Sequence, residues 1–180
     1  MNIIMTGSTS FVGAATVREL LRRGHTVTAI VRPKSSKLDT ILEGNEEALL
    51  SGRLLVTEND LSEPEKLLEK VTKPQDVFCH FGWGGSGSVS RTDKALQEKN
   101  MEISLETIRT AKALGCKKFL FSGSQAEYGM HQDLITENTV CEPKSLYGEA
   151  KLAMREKGEK LCDELGLRYI HARIFSAYGP

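Results

Sequence analysis

An excess of charge of either sign is missing from this sequence: Lys and Arg together number 24, and so do Asp and Glu. No basic stripe advertises a phosphate backbone or an anionic membrane, so nucleic acid and membrane fall away as partners and any anion must be held locally. Long apolar runs are missing too, none approaching the roughly 18 residues of a membrane span. The opening Met1-Asn2-Ile3-Ile4-Met5 lacks the basic head and apolar core of a secretory leader, which leads to the expectation of a cytoplasmic protein. Cysteine is sparse. Cys79, Cys116, Cys141 and Cys162 lie far apart with no C-x-x-C pair. Reduced, mostly buried thiols are therefore expected and a metal site is not, since Cys79-His80 has no further ligand close in sequence. No segment repeats.

What is present is alternation. At 180 residues, 39% apolar and 27% charged, the chain suits one well-packed soluble domain. Short runs rich in Ile, Val, Phe and Leu at 2–6, 26–31, 53–57, 76–81, 117–122 and 168–174 read as strands buried on both faces. Helical patterns at 11–23, 38–50, 62–72, 92–114 and 146–165 separate them, with Pro64 in the first turn of the third and Gly24, Gly115 and Gly166 placed to end helices. Strand following helix in this way predicts an α/β fold with a doubly wound parallel sheet. The segments 82–90 and 129–145 are too polar or glycine-rich to pack on their own and are expected to be mobile.

Strand 2–6 runs into Thr6-Gly7-Ser8-Thr9-Ser10-Phe11-Val12-Gly13 and then directly into a helix. Glycine permits the tight turn there, and the free N–H groups of the helix start favour a pyrophosphate. Proteins that bind NAD in this way carry an acid about 20 positions further on for the ribose hydroxyls. Here the segment is Val31-Arg32-Pro33-Lys34-Ser35-Ser36-Lys37, without an acid. A guanidinium grips a phosphate with paired hydrogen bonds, so Arg32, helped by Lys34 and Ser35, points to NADP, with NAD still open.

Tyr147-Gly148-Glu149-Ala150-Lys151 falls on the last predicted helix. Four residues are about one turn, so both side chains leave the same face about 6 Å apart along the axis. A phenol with an ordinary pKa near 10 is about one part in a thousand ionised at pH 7. An ammonium a few ångströms away lowers such a value by about 1–3 units, which turns the phenol into a usable proton acceptor.

These stretches resemble the extended, nucleotide-sugar-modifying branch of the short-chain dehydrogenase/reductase superfamily, the NAD(P)-dependent epimerase/dehydratase family, over almost the whole chain. The turn after the first strand matches its T-G-x-x-G-x-x-G pattern, with Ser10 in place of the middle glycine. Phe121-Ser122-Gly123-Ser124-Gln125-Ala126-Glu127-Tyr128-Gly129 matches the segment that carries a substrate-binding Ser or Thr. The resemblance implies a Rossmann fold and a catalytic set of Ser124, Tyr147, Lys151 and the helix residue Asn100, the last supporting the lysine or a water. It implies cofactor contacts from Gly7, Thr9, Ser10, Phe11, Val12 and Gly13, from Arg32, Lys34 and Ser35, from Asp60 and Leu61, from Phe81, Gly82 and Trp83, and from Ser122, Tyr147 and Lys151. His80 stands where the family has its H-x-A/G; a catalytic role and a satisfied core histidine are both open.

Dehydratases of this branch carry two acids directly after the Ser or Thr. This chain has Gln125 and Ala126, and Glu127 comes one place late and points elsewhere, so elimination is disfavoured against epimerisation or reduction of a nucleotide sugar. A sensor or scaffold that binds NADP without turnover is the alternative. Arg173-Ile174-Phe175-Ser176-Ala177-Tyr178-Gly179-Pro180 resembles the family's R-x-x-N-x-Y-G-P, with Ser176 for Asn. In relatives a substrate domain follows. The expectation here is a cofactor-binding domain over 1–180 that binds NADP(H) weakly and turns over little. Relatives dimerise through the helices matching 92–114 and 146–165, for which Leu96, Met101, Leu105 and Ile108 offer an apolar stripe; packing of the same residues on the sheet is the alternative.

Overall fold

The computed structural model describes residues 1–85, 87 and 89–179. Six strands, β1 (Asn2–Thr6), β2 (Thr26–Val31), β3 (Leu54–Glu58), β4 (Val77–His80), β5 (Lys118–Ser124) and β6 (Arg168–Ile174), form one sheet in the order β3-β2-β1-β4-β5-β6. Every pairing is parallel. The helices are α1 (Phe11–Arg22), α2 (Asp39–Leu42), α3 (Glu46–Leu50), α4 (Leu67–Lys70), α5 (Lys94–Ala113) and α6 (Leu146–Leu165). This is the doubly wound Rossmann arrangement. It reverses direction between β1 and β4, where the loops leaving the strands diverge and open a crevice.

Successive residues of a strand face opposite sides of the sheet, and the core divides accordingly. Ile3, Met5, Val27, Ala29, Val31 and Cys79 pack with Val17 and Leu21 of α1 and Ile41 of α2. Ile4, Phe78, Phe119 and Phe121 pack on the other side with Ile108 of α5 and Met154 of α6. On that second face two rows of rings cross the strands in register. Phe78, Phe119 and Tyr169 are paired neighbours with centroids 5.6 and 6.3 Å apart. Two residues further along lie His80, Phe121 and His171, at 5.9 and 5.5 Å. The second row ends at the carboxyl edge of the sheet, where the site is built.

Three expectations need correction. The helix over 38–50 is two short ones, because Gly44 takes the left-handed conformation (φ 75°) and its N–H is held by Glu46 Oε1. The stretch 62–72 reduces to a 3-10 turn at Pro64–Lys66, with buried Pro64 at its start, followed by the single turn of α4. Ile108 belongs to the core and is fully buried, with Met101 and Leu105 half-buried against the same cluster, so it is unavailable to a second copy.

Of the segments expected to be mobile, 82–90 includes Ser86 and Ser88, which lie outside the described residues, as does Pro180. The segment after Tyr128 is closed by Glu142 N–H bonding Tyr128 O at 3.1 Å, and within it Thr136 N–H bonds Thr139 Oγ1 at 2.9 Å. Met130, Leu134 and Val140 between these points are exposed. Cys79, Cys116 and Cys162 are free and buried, Cys141 free and half-buried. Burial pushes the Cys79 thiol up to about 11.

Candidate functional site

A cleft of about 450 Å³ opens at the carboxyl ends of β1, β2 and β4. Its floor is the turn after β1. Gly7 has φ 68°, and a Cβ there would stand 2.7 Å from the Phe81 carbonyl carbon; a Cβ on Gly13 would stand 2.1 Å from Gly7 O. Three backbone segments therefore meet at a separation only hydrogen atoms can fill. Ser10 is the N-cap of α1. Its Oγ accepts from Gly13 N–H at 3.1 Å and donates to Gly7 O at 2.7 Å. The hydroxyl in place of the family's middle glycine is thus turned into its own turn, and its proton is already engaged. No acid stands in the first turn of α1, so the positive end of the helix is open to an anion.

Thr6, Gly7, Thr9, Ser10, Arg32, Asp60, Leu61, Phe81, Gly82 and Trp83 line this cleft. Lys34 and Ser35 do not. Lys34 sits in a left-handed turn (φ 56°), and Ser35 Oγ accepts from Lys37 N–H. The chain is thereby folded back so that Lys37 lines the cleft beside Arg32, a residue the sequence reading passed over. Asp60 accepts from both the N–H and the hydroxyl of Ser62, which hold its carboxyl below the usual range. Phe11 faces a neighbouring groove with Arg18, and buried Gly13 lies behind the turn.

At the end of β4 the tautomer of His80 follows from its neighbours. Ser104 Oγ donates its one proton to Asn100 O at 2.8 Å, so it must accept from His80 Nε2–H at 3.1 Å. Nδ1 then accepts from Thr6 Oγ1–H at 2.8 Å, and Thr6 Oγ1 accepts from Gly82 N–H at 3.3 Å. His80 is a fully buried core residue that ties β1, β4 and α5 together and fixes Gly82. Asn100 does likewise for the next turn: its Oδ1 accepts from Gly84 N–H at 3.0 Å and its Nδ2 donates to Gly84 O at 2.8 Å. Its amide holds the cleft wall rather than the lysine.

Burial, with the Lys151 ammonium adding to it, holds the His80 pKa down to about 3. A depressed folded value means that its contribution to stability is complete above the unfolded value near 6.5 and is lost as pH falls towards 3. Between pH 6.5 and 4.5 the wild type should lose about 2 kcal/mol more than His80→Gln, read from urea midpoints at the two pH values. Parallel curves for the two proteins would mean that His80 titrates normally.

Ser122 and Ser124 lie on β5, and Tyr147 and Lys151 on α6, whose Lys151 reaches back to the end of that strand. Ser145 caps α6 by accepting from Gly148 N–H, which starts the helix with Tyr147 in its first turn. Lys151, 2% exposed, donates to Ser122 O at 2.8 Å. Its Nζ stands 3.9 Å from the Trp83 ring, 4.6 Å from Phe121 and 5.7 Å from Tyr147. Burial brings its pKa down to about 7, against the opposing pull of Glu127. The Tyr147 ring also carries the Arg91 guanidinium at 4.9 Å, a neighbour no sequence pattern indicated. Ser124 accepts from Ala126 N–H, while its own N–H is held by Glu127 Oε1 at 2.8 Å. Glu127, fully buried, also binds His171 and Arg173.

Among the described residues no helix is long and apolar enough to cross a membrane. Comparison with known proteins identifies the family of the chain. Residues 3–180 match the model of the NAD dependent epimerase/dehydratase family. The dTDP-6-deoxy-L-talose 4-dehydrogenase (NAD(+)) of Aggregatibacter actinomycetemcomitans is 30% identical over 94% of this chain and 60% of its own length. The D-erythronate dehydrogenase of Cupriavidus necator is 29% identical over 97% of this chain and 53% of its own. A crystal structure of a UDP-glucose 4-epimerase superposes with a TM-score of 0.83 at 27% identity, covering 100% of this chain and 53% of the other. The Thermotoga maritima UDP-glucose 4-epimerase with UDP-glucose gives a TM-score of 0.80 at 26% identity, and 57% of it is covered. The chain spans about half to three fifths of the length of these relatives. It belongs to the NAD dependent epimerase/dehydratase family.

Proposed function

We propose that residues 1–180 form the dinucleotide-binding and proton-transfer unit of an epimerase or reductase acting on a nucleotide sugar, with NADP(H) as the cofactor. The observation that carries this reading is Lys151 seated on the Ser122 carbonyl at the carboxyl edge of the sheet, one helical turn from Tyr147, with Trp83 shared between this pair and the cleft. The residues present fit such a cofactor. The acid-free start of α1 suits a pyrophosphate, and Arg32 and Lys37 offer two cations where a 2′-phosphate would lie, with no acid on Val31–Lys37.

A bound nicotinamide supplies the hydride acceptor and donor. The chain's own part is proton transfer and positioning. Tyr147 takes a proton from the sugar hydroxyl being oxidised and returns one to the carbonyl oxygen on reduction. Lys151 stands 5.7 Å from the Tyr147 ring as its neighbouring amine, Ser124 hydrogen-bonds the same substrate oxygen, and Asn100 and His80 fix the wall through Gly84 and Gly82. Glu127 is withdrawn into an ion-pair cluster and Gln125 and Ala126 carry no acid, which supports epimerisation or reduction over dehydration. Pairing of two copies through the outer faces of α5 and α6, without Ile108, is part of the same reading and is checked by sedimentation.

The experiment is calorimetric titration with NADPH and NADH. NADPH should bind at least about tenfold more tightly, and Arg32→Ser should remove most of that preference, a loss of about 1.4 kcal/mol or more. Equal affinities in wild type and variant would remove NADP from the proposal. Binding of neither would remove the dinucleotide altogether.

A further inference from the structure

Lys151 does not line the cleft; Trp83 does. The indole lies between the two, its face 3.9 Å from the ammonium and its ring nearly perpendicular to that of Tyr147 (87°, 6.3 Å). It is held there by a particular residue. Trp83 Nε1 donates to Gln97 Oε1 at 3.0 Å, and Gln97, 2% exposed, donates from Nε2 to Ser90 O at 2.8 Å. Phe121 meets Trp83 edge-on at 5.9 Å and lies 4.6 Å from the ammonium. The lysine therefore has one carbonyl and two aromatic faces as near neighbours, and its approach to the cleft runs through the indole.

We propose that Trp83 is a positioning residue for Lys151: its indole separates the ammonium from the cleft and turns off it when a ribose hydroxyl bound in the cleft meets Lys151. The inference rests on reading the cleft as a dinucleotide site. Gln97 is the latch, because swinging the indole breaks the bond from Nε1 to a buried amide that has no solvent to replace it.

Two effects of the ring on Lys151 oppose each other. Its face attracts the ammonium, an effect worth about one pH unit at a desolvated site. Burial acts the other way and has brought the group from 10.5 to about 7. Removing the ring opens the ammonium to water in the cleft, so the midpoint should rise.

The test uses the whole chain labelled with carbon-13 at lysine Cε, the Lys151 signal being assigned by its loss in Lys151→Met. In Trp83→Ala the midpoint should rise by about one unit or more; an unchanged midpoint overturns the proposal. Where circular dichroism shows that Trp83→Ala has not folded, Trp83→Phe, which has no N–H for Gln97, is read instead. A smaller rise is expected, and again no change overturns the idea.

Trp83 is the only tryptophan, so all indole emission reports on it. NADP⁺, which does not absorb at the emission wavelengths, should change that emission and its quenching by acrylamide in step with the calorimetric isotherm. Calorimetric binding with unchanged emission and quenching overturns the movement of Trp83 and leaves the dinucleotide site standing. Absence of calorimetric binding overturns the site reading and the movement with it, while the lysine titration still decides whether the indole shields Lys151.

Discussion

Glu127→Ala is expected to lower the melting temperature by about 6–20 °C, corresponding to about 3–5 kcal/mol. The carboxylate is fully buried. It accepts from His171 Nε2 at 2.9 and 3.0 Å, from Arg173 Nε at 2.7 Å and from Ser124 N–H at 2.8 Å. Alanine leaves a guanidinium that is only 10% exposed without its counter-charge, and an uncompensated buried charge costs far more than an intact pair contributes.

Burial by itself would raise the Glu127 pKa; the bonds and charges of His171 and Arg173, with the Ser124 N–H, more than offset it and hold the group below its ordinary value. The sign follows. A depressed carboxyl contributes stability that is complete above its unfolded pKa and is lost as pH falls through the folded one. The gap between wild type and variant should therefore narrow in acid, as scanning calorimetry at two pH values will show. A drop below about 2 °C at neutral pH would mean the cluster is not held by charge. Because Glu127 also holds the Ser124 backbone, the variant should loosen the end of β5.

Gly13→Ala is the second large effect. The added methyl would lie 2.1 Å from Gly7 O, and the carbonyl cannot retreat because Gly7 is itself pressed on the Phe81 backbone. Either α1 lifts from β1 or the turn opens. Overpacking of this kind costs about 1–3 kcal/mol, or about 2–12 °C in a domain of this size. Dinucleotide affinity should fall at least about tenfold, since the helix N–H groups no longer stand where a pyrophosphate meets them. Gly24→Ala, where a Cβ meets nothing within 4 Å although φ is 79°, is the control: it strains the chain locally and should leave affinity unchanged. Equal loss of affinity in both variants would mean that general destabilisation, not the turn, is responsible.

The strands were legible because a parallel sheet covered on both faces makes each one a short unbroken apolar run, and all six appear within two residues of their expected bounds. The region 38–50 was misread as one helix because its apolar spacing runs on through Gly44, where the left-handed turn outweighs periodicity. At the site, local pattern was enough to name the residues that share an element: Gly7 and Ser10 on the turn after β1, Tyr147 and Lys151 one turn apart on α6. Those set by tertiary geometry were not. Lys37 reaches the cleft only because the chain reverses at Lys34, and Gln97 matters only because the indole of Trp83 comes to rest on it.

Glu127 had a readable signal that was overlooked. Ser124-Gln125-Ala126-Glu127 is an S-x-x-E capping box, and both of its reciprocal bonds are formed. Reading that glutamate only as an acid displaced by one position obscured its place as the anchor of the β5–β6 edge.

The central claim is that a dinucleotide lies across the β1–β4 crevice with its diphosphate at the start of α1. Amide chemical-shift mapping during an NADP⁺ titration tests it most directly. The account predicts the largest changes at Gly7 and Thr9 through Val12, at Arg32 and Lys37, and at Gly82 through Gly84, saturating together. Saturating changes confined to the opposite, amino-terminal edge of the sheet, or none at all, would contradict it.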